Sequence, residues 1–236
     1  DWYQRNTNGM LAPGMQLPAV VGASAPYQNT ADMRTRGWEL SVNWRDQIGK
    51  VGYRVGFNLS DSQSKIVKYN SNESGILTSA LSNGSTFWNY YEGKDLGEIW
   101  GYEYDGFYTV DDFTDTSSWK LKEGVPSIDG YNPRPGDVKF KNLKDDDRGT
   151  NMISSGDNTV SNPGDRKVIG NNTPRYLYGI TLGANFKGFD LNVFMQGTGK
   201  RDAWIANNLK FPLYSDFKFI ALYKDLGNYW KPVDAA

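Results

Sequence analysis

The sequence predicts an all-β chain, a fragment of a large antiparallel transmembrane β-barrel with long extracellular loops. Three observations carry that prediction. Apolar and polar residues alternate in two widely separated hairpins, each predicted strand runs to about ten residues, and the connections are short at one end and tens of residues long at the other. Period two makes strands with one apolar and one polar face. Strands of that length lie beyond the usual five to six or so and near the roughly 9 to 11 residues that cross a bilayer obliquely.

The first hairpin lies in residues 38 to 60. Trp38, Leu40, Val42 and Trp44 alternate with Glu39, Ser41, Asn43 and Arg45; Val51, Tyr53, Val55, Phe57 and Leu59 then alternate with Gly52, Arg54, Gly56 and Asn58. A turn over 46–49 predicts Trp44 opposite Val51, Val42 opposite Tyr53, Leu40 opposite Val55 and Trp38 opposite Phe57. Both apolar sets then share one face.

The second hairpin lies in residues 176 to 197, with a two-residue turn at Lys187-Gly188. It predicts the pairs Phe186 with Phe189, Ala184 with Leu191, Leu182 with Val193 and Ile180 with Met195. Its other face carries Thr181, Gly183, Asn185, Asp190, Asn192 and Gln196, with Phe194 the one apolar intruder.

Between the hairpins, 61–97 and 111–175 read as loop, with turns at Asn83-Gly84, Asp129-Gly130, Pro135-Gly136 and Pro163-Gly164. EIWGYEYDGFYTV (98–110) reads as a small hairpin turning at Asp105-Gly106. Residues 216–227 are the best helix candidate. The expected organisation is one barrel portion over 1–236. Its strands lie near 38–46, 51–60, 176–186 and 189–198, its long outer loop spans about 61–175, and a second outer loop spans about 199–236. Starting in what reads as mid-strand at Asp1 and stopping after Pro232, the chain is expected to lack a plug domain and the final strands.

An alternating strand suits a protein core as well as a lipid bilayer, so the alternative fold is a soluble β-sandwich. Asymmetric connections favour the barrel, because such barrels have short periplasmic turns and long outer loops. The aromatics add to this. Trp44, Tyr53, Phe186 and Phe189 are expected at the short-turn end, and Trp38, Phe57, Tyr176 and Tyr178 at the long-loop end, as two interfacial belts would require. The lipid-facing set is then Trp38, Leu40, Val42, Trp44, Tyr53, Val55, Phe57, Ile180, Leu182, Phe186, Phe189, Leu191 and Val193.

Composition removes other classes. With 26 basic against 27 acidic residues and no block of one sign, nucleic acid is not an expected partner. No apolar run approaches the roughly 18 residues of a membrane helix. Cysteine and histidine are absent, which excludes disulfides, cysteine nucleophiles and Ser-His-Asp triads.

In order along the chain, NTADMRTRGWELSVNW (29–44), GYEYDGFYTV (101–110), PGDVKFKNLKDDD (135–147), GDRKVIGNNTPRYLYGITLGANFKGFDLNVFMQGTGKRDAW (164–204) and NYWKP (228–232) resemble the C-terminal part of SusC/RagA-type TonB-dependent outer-membrane transporters of Bacteroidetes. The resemblance covers most of residues 1–232 and is most specific from Gly164 to Gly199. It implies a barrel of about 22 strands around a plug, located in the cell outer membrane. It also implies energy from TonB through a missing N-terminal part and a SusD-like surface lipoprotein over the barrel. The imported molecule would be an oligosaccharide, or in some members a peptide.

Candidate sites follow. The loop aromatics Trp88, Tyr90, Tyr91, Trp100 and Trp204 can stack on sugar rings, or pack within the loops. Asn142 and Asp146 sit in a segment resembling an oxygen-rich calcium loop. Lys144 replaces an oxygen ligand there and Asp147 stands where a turn glycine is expected, so a solvated acidic loop is the preferred reading; calcium is the only cofactor considered. Glu98, Glu103 and Asp105 differ in strand parity, so no convergent acid pair and no catalytic residue is assigned. The expected function is import without bond chemistry. A soluble carbohydrate-binding module and a carboxylate-based glycan hydrolase are the competing classes.

Overall fold

The computed structural model describes residues 1–13, 26–80, 86–115, 117–128, 130–144 and 151–204. These form two units, Asp1–Glu98 with Asn171–Asp202, and Ile99–Gly170 with Ala203–Ala236. In chain order the strands are β1 (Trp2–Pro13), β2 (Tyr27–Ile48), β3 (Val51–Tyr69), β4 (Thr78–Ala80), β5 (Thr86–Trp88), β6 (Glu98–Tyr102), β7 (Tyr104–Phe107) and β8 (Phe113–Asp115). They continue with β9 (Lys120–Leu121), β10 (Ser127–Ile128), β11 (Val138–Phe140), β12 (Met152–Ile153), β13 (Arg166–Asn171), β14 (Arg175–Phe186) and β15 (Phe189–Lys200).

The first unit is built on a five-stranded sheet in the order β1-β2-β3-β14-β15, with every neighbouring pair antiparallel. The two hairpins, more than a hundred residues apart in the chain, are joined side by side through β3 and β14. Short two-stranded pieces (β4 with β5, β6 with β13, β7 with β11, β8 with β9, β10 with β12) complete the described structure.

The second hairpin has the pairs its sequence predicts, from Ile180↔Met195 to Phe186↔Phe189. Lys187 (φ 48) and Gly188 (φ 85) both take the left-handed conformation, as a tight I′ turn requires. The first hairpin differs from expectation. Its turn is Gly49-Lys50, so Ile48 faces Val51 and Trp44 faces Val55, with Val42 opposite Phe57, Leu40 opposite Leu59 and Trp38 opposite Asp61. The cause is Gly49, at φ 62, which supplies the first central residue of a two-residue turn and draws Asp46, Gln47 and Ile48 into the strand. The slip is even, so the faces survive it. The belt positions of Trp44 and Phe57 do not: Trp44 sits in the third row from the turn, opposite Val55, and Phe57 in the fourth, between Val42 and Ile180.

Strands β2 and β3, at 22 and 19 residues, run well past the alternating segment, so 61–69 is strand and not the expected loop. Beyond Ser60, where β14 ends its pairing, Gly93–Leu96 takes over the edge of β3. Ile66 N–H donates to Lys94 O (2.9 Å), Gly93 N–H to Ile66 O (2.8 Å) and Leu96 N–H to Ser64 O (2.8 Å). At the changeover Arg175 donates from Nε and Nη2 to the two oxygens of Asp61, both at 2.5 Å, filling the point where one neighbour replaces another. A small core of Ala12, Ile66 and Tyr69, with Ala31 and Leu96 against it, packs this extended end.

Asp105-Gly106 is not a hairpin turn. Strand β7 pairs with β11, and Asp105 is the extra residue between the pairs Lys139↔Gly106 and Phe140↔Tyr104. Gly106, at φ 104, supplies the backbone freedom for a bulge rather than a turn. Pro135-Gly136 does turn, with Asp137 N–H donating to Arg134 O at 3.0 Å. Asn83-Gly84 and the 216–227 helix candidate lie outside the described residues, as does Asp129 of Asp129-Gly130.

Candidate functional site

Even residues of β2 and β14 and odd residues of β3 and β15 share one face of the sheet, which follows from the registers. From the turn end its rows read Ile48–Val51–Phe186–Phe189, Asp46–Tyr53–Ala184–Leu191, Trp44–Val55–Leu182–Val193, Val42–Phe57–Ile180–Met195 and Leu40–Leu59–Tyr178–Gly197. Trp2 and Trp38, paired with each other, come next. The face is left open. Trp44 is 61% exposed, Leu191 63% and Phe189 80%, with Leu40, Val42, Val55, Leu182, Phe186 and Val193 also exposed and Trp38, Tyr53, Phe57 and Ile180 partly so.

The height of this band follows from the strand rise. Ten steps from Ile48 to Trp38 cover about 33 Å along the strand, or about 25 Å along the normal at a tilt near 40°, which is the height of the apolar band on outer-membrane barrels.

The opposite face is polar. Near the turn end it holds an open groove of about 620 Å³ lined by residues including Arg45, Gln47, Arg54, Asn185, Asp190 and Asn192. Within it Arg54 Nη2 donates to Asn192 Oδ1 at 2.5 Å.

The loop aromatics divide into different roles. Strand β5 pairs with β4, Thr78 opposite Trp88, and leaves Trp88 exposed, while the next amide, Asn89 N–H, donates to the O of buried Leu77 at 2.9 Å. Asn72 holds this loop together: its Nδ2 donates to Ile76 O and Tyr90 O, each at 2.8 Å, and its Oδ1 accepts from Ile76 N–H at 2.8 Å. Tyr90 is 44% exposed, with its ring edge-on to Tyr69 at 6.2 Å. Tyr91 is 4% exposed, and its hydroxyl donates to Glu98 Oε2 at 2.5 Å. As a ligand-stacking residue it is therefore a correction: its ring is spent on packing.

Under these rings lies Lys94, 5% exposed, its Nζ 5.5 and 5.4 Å from the Tyr90 and Tyr91 ring centres and donating to Asn89 O at 2.8 Å. Burial pushes the Lys94 ammonium below its ordinary range, and the nearby Glu98 carboxylate opposes that. No pattern in the sequence marked this lysine.

In the second unit Trp100 is half-buried in β6 and Trp204 is 64% exposed. Glu103 accepts from Lys141 Nζ at 2.7 Å and from Lys167 Nζ, and these bonds hold its carboxyl down at about 2. Tyr108 is buried and donates to Pro126 O at 2.5 Å; burial, with Asp112 nearby, pushes its phenol up to about 12. Such a group stays a neutral donor throughout the physiological range.

Asp165 organises the stretch read as a calcium loop. Fully buried, its Oδ1 accepts from Leu143 N–H (2.6 Å) and Lys144 N–H (2.9 Å), and its Oδ2 from Ser154 N–H (2.8 Å). Lys144 Nζ donates to Asn162 Oδ1 at 2.8 Å. Asn142 is half-buried beside this knot, and Asp146 lies outside the described residues. Among the described residues no group of three or more acidic side chains is placed to hold a metal ion. Glu98 and Glu103 are each engaged as above and Asp105 sits in its bulge, so none offers the paired carboxylates of a glycosidase.

No protein-family profile matches the chain. Among curated proteins it is similar to TonB-dependent receptor P3 of Formosa agariphila, 29% identical over 203 residues, covering 84% of this chain and 18% of that protein. TonB-dependent receptors P26 and P39 of the same organism are 21% and 24% identical over 84% and 80% of this chain. Among solved structures, one of the RagAB peptide transporter matches with a TM-score of 0.51 at 20% identity, covering 83% of this chain and 18% of that one. The chain thus spans under a fifth of the relatives it matches. These relatives support the resemblance carried by its motifs: the chain is similar to a portion of TonB-dependent receptors, and its antiparallel sheet has a fold found in the RagAB structure.

Proposed function

We propose that this chain forms wall and outer loops of an outer-membrane transporter that imports oligosaccharides. Its energy comes from TonB through parts of the protein outside this chain, and its substrate is passed from a SusD-like surface lipoprotein. The observation that carries the reading is the open apolar face, Leu40 to Trp44 and Leu182 to Phe189, which a soluble sandwich would bury and a bilayer would cover. The polar face with its Arg54–Asn192 groove is then the hydrated lumen side. Import by this route is binding and gated passage, with no bond made or broken. The relatives' names as receptors support a protein that is not an enzyme.

Oligosaccharide is favoured over peptide by Trp88, Tyr90 and Trp204, exposed aromatic planes suited to the C–H faces of sugar rings. The RagAB match is to a peptide transporter, so peptide is the second reading.

The test is uptake of labelled oligosaccharides and labelled oligopeptides by cells carrying the full-length protein, with and without TonB. Trp88→Ala/Tyr90→Ala is compared with Tyr91→Phe. TonB-dependent oligosaccharide uptake, lowered by the double change and spared by Tyr91→Phe, supports the proposal. TonB-dependent uptake of peptides alone moves the substrate to the second reading, and absence of TonB dependence overturns the import mechanism.

A further inference from the structure

The outer face of the sheet changes chemistry abruptly at this end, on β3 at Asp61 opposite Trp38 and on β1 and β2 one row beyond the Trp2–Trp38 pair. The next row is Gln4–Arg36–Gln63 and the one after it Asn6–Arg34–Lys65. Arg36 Nε donates to Gln4 Oε1 at 2.9 Å and Arg34 Nε to Asn6 Oδ1 at 3.4 Å, so neutral amides orient both guanidiniums without neutralising them. Lys65 Nζ stands 3.6 Å from Asp95 Oδ1, and Gln63 Nε2 donates to Asp95 Oδ2 at 3.0 Å.

Arg34, Arg36, Gln63, Lys65, Val67 and Asp95 line a shallow cavity of about 200 Å³. Three cations there face one carboxylate. The neighbouring carboxylates are engaged elsewhere, Asp61 by Arg175 and Asp32 by the Gly9 N–H at 2.8 Å. On the reverse side at this height stand Thr35, Ser62 and Ser64, with Arg5 the cation there. The basic surplus on the outer face therefore begins one row past the aromatic pair that closes the apolar band.

We propose that Arg34, Arg36 and Lys65 form a seat for the phosphate groups of outer-leaflet glycolipids. This rests on the reading of the apolar face as lipid-facing. Guanidinium forks match phosphate oxygens in pairs, and a lysine adds a point charge. The occupant is a lipid rather than a free anion because Arg36 lies about 7 Å along the strand, one pair of residues, from Trp38, with Arg34 and Lys65 about 7 Å further on. An amphiphile with phosphate above and acyl chains below satisfies both rows at once, whereas inorganic phosphate meets only one. Basic residues beside the apolar region of a membrane protein draw anionic headgroups in the same way.

The test uses the full-length transporter in nanodiscs and native mass spectrometry of retained lipid. The probes are lipid A bearing its phosphates, lipid A stripped of phosphate, and inorganic phosphate. The account expects phosphorylated lipid A to be retained and the stripped form to be lost. It expects Arg34→Gln/Arg36→Gln/Lys65→Gln to lower retention of the phosphorylated form at least roughly tenfold, and Arg34→Lys/Arg36→Lys to keep part of it.

Equal retention by wild type and the triple variant overturns the seat. Displacement of lipid A by millimolar inorganic phosphate overturns the lipid assignment. Quenching of the tryptophans by brominated lipid tails, recorded on the same samples, separates the two readings. If it is present while retention is unchanged, the seat alone fails; if it is absent from wild type, the membrane reading beneath it fails too.

Discussion

In the stretch of β2 nearest its turn, Trp38–Ile48, one face carries Leu40, Val42, Trp44 and Ile48, all exposed, with Asp46 its one charge, while in the stretch beyond it the same face carries Arg34 and Arg36 and the reverse face buries Thr35 and Gly37. One strand, with no break in register between Met33 and Ile48, thus presents two kinds of surface. Leaving leucine, valine and tryptophan in water costs about 25 cal/mol for each Å² exposed, so an apolar cover over the first stretch stabilises it. The second stretch spends its sequence on hydrogen bonds instead: Thr35 Oγ1 and Ser64 Oγ lie 2.8 Å apart, and Arg175 closes on Asp61. The loops go further in that direction, burying Lys94 and Asp165 with named partners.

The largest effect should come from breaking the apolar stretch while sparing its neighbour. Val42→Arg places a charge in mid-band between Leu40 and Trp44 and is expected to cost the full-length barrel about 3 kcal/mol. Asn43→Arg, one residue on and on the polar face, is expected to stay within about 0.5 kcal/mol of wild type. Urea titration of bilayer-folded protein measures both, and equal costs would remove the distinction between the faces.

A smaller effect is expected in the water-adapted loops. Asp165→Ala strips the acceptor from the Leu143, Lys144 and Ser154 amides and should destabilise that loop by about 2 kcal/mol. Faster hydrogen exchange at those three amides, with the sheet unaffected, is the signature. Tyr91→Phe deletes a hydrogen bond to a carboxylate and should cost about 1.5 kcal/mol, read as local protease sensitivity without loss of substrate binding.

The smallest is a pH effect on an exposed ion-pair cluster. Glu103 has its carboxyl depressed from 4.5 to about 2 by Lys141 and Lys167, so its contribution is present above pH 4.5 and lost as pH falls through about 2. Protection of the β7–β11 pair should therefore fade below pH 4.5 in wild type, and that fading should be absent from Glu103→Gln.

The faces of the hairpins were legible in the sequence because parity is a local signal, and an even slip cannot disturb it. The register of the first hairpin was not, since Asp46-Gln47-Ile48-Gly49 offers several turns and only the backbone shows that Gly49 takes the first central position. Asp105-Gly106 misled for a related reason: a glycine at positive φ serves a bulge as readily as a turn, and its partner strand, Val138–Phe140, lies far along the chain.

Among the site residues, exposure separated what composition could not. Trp88, Tyr90 and Tyr91 look alike in the sequence, yet Tyr91 alone is buried, with its hydroxyl held by Glu98, while Lys94 lies against Tyr90 and Tyr91 alike. Asp165 was invisible because its partners, Leu143, Lys144 and Ser154, carry no pattern and meet it only through backbone amides. The basic cluster of Arg34, Arg36 and Lys65 needed the register, which alone places residues from two strands in one row.

The central claim, that the open face of the sheet meets lipid, is tested most directly by tryptophan fluorescence of the full-length protein in bilayers with brominated acyl chains. Wild type is compared with Trp38→Phe/Trp44→Phe. Bromine quenches indoles at the acyl region or its edge, so the account predicts quenching in wild type that shrinks in the variant. Quenching that is absent, or unchanged without those two tryptophans, would mean that Leu40, Val42 and their neighbours are covered by protein, and the account would be wrong.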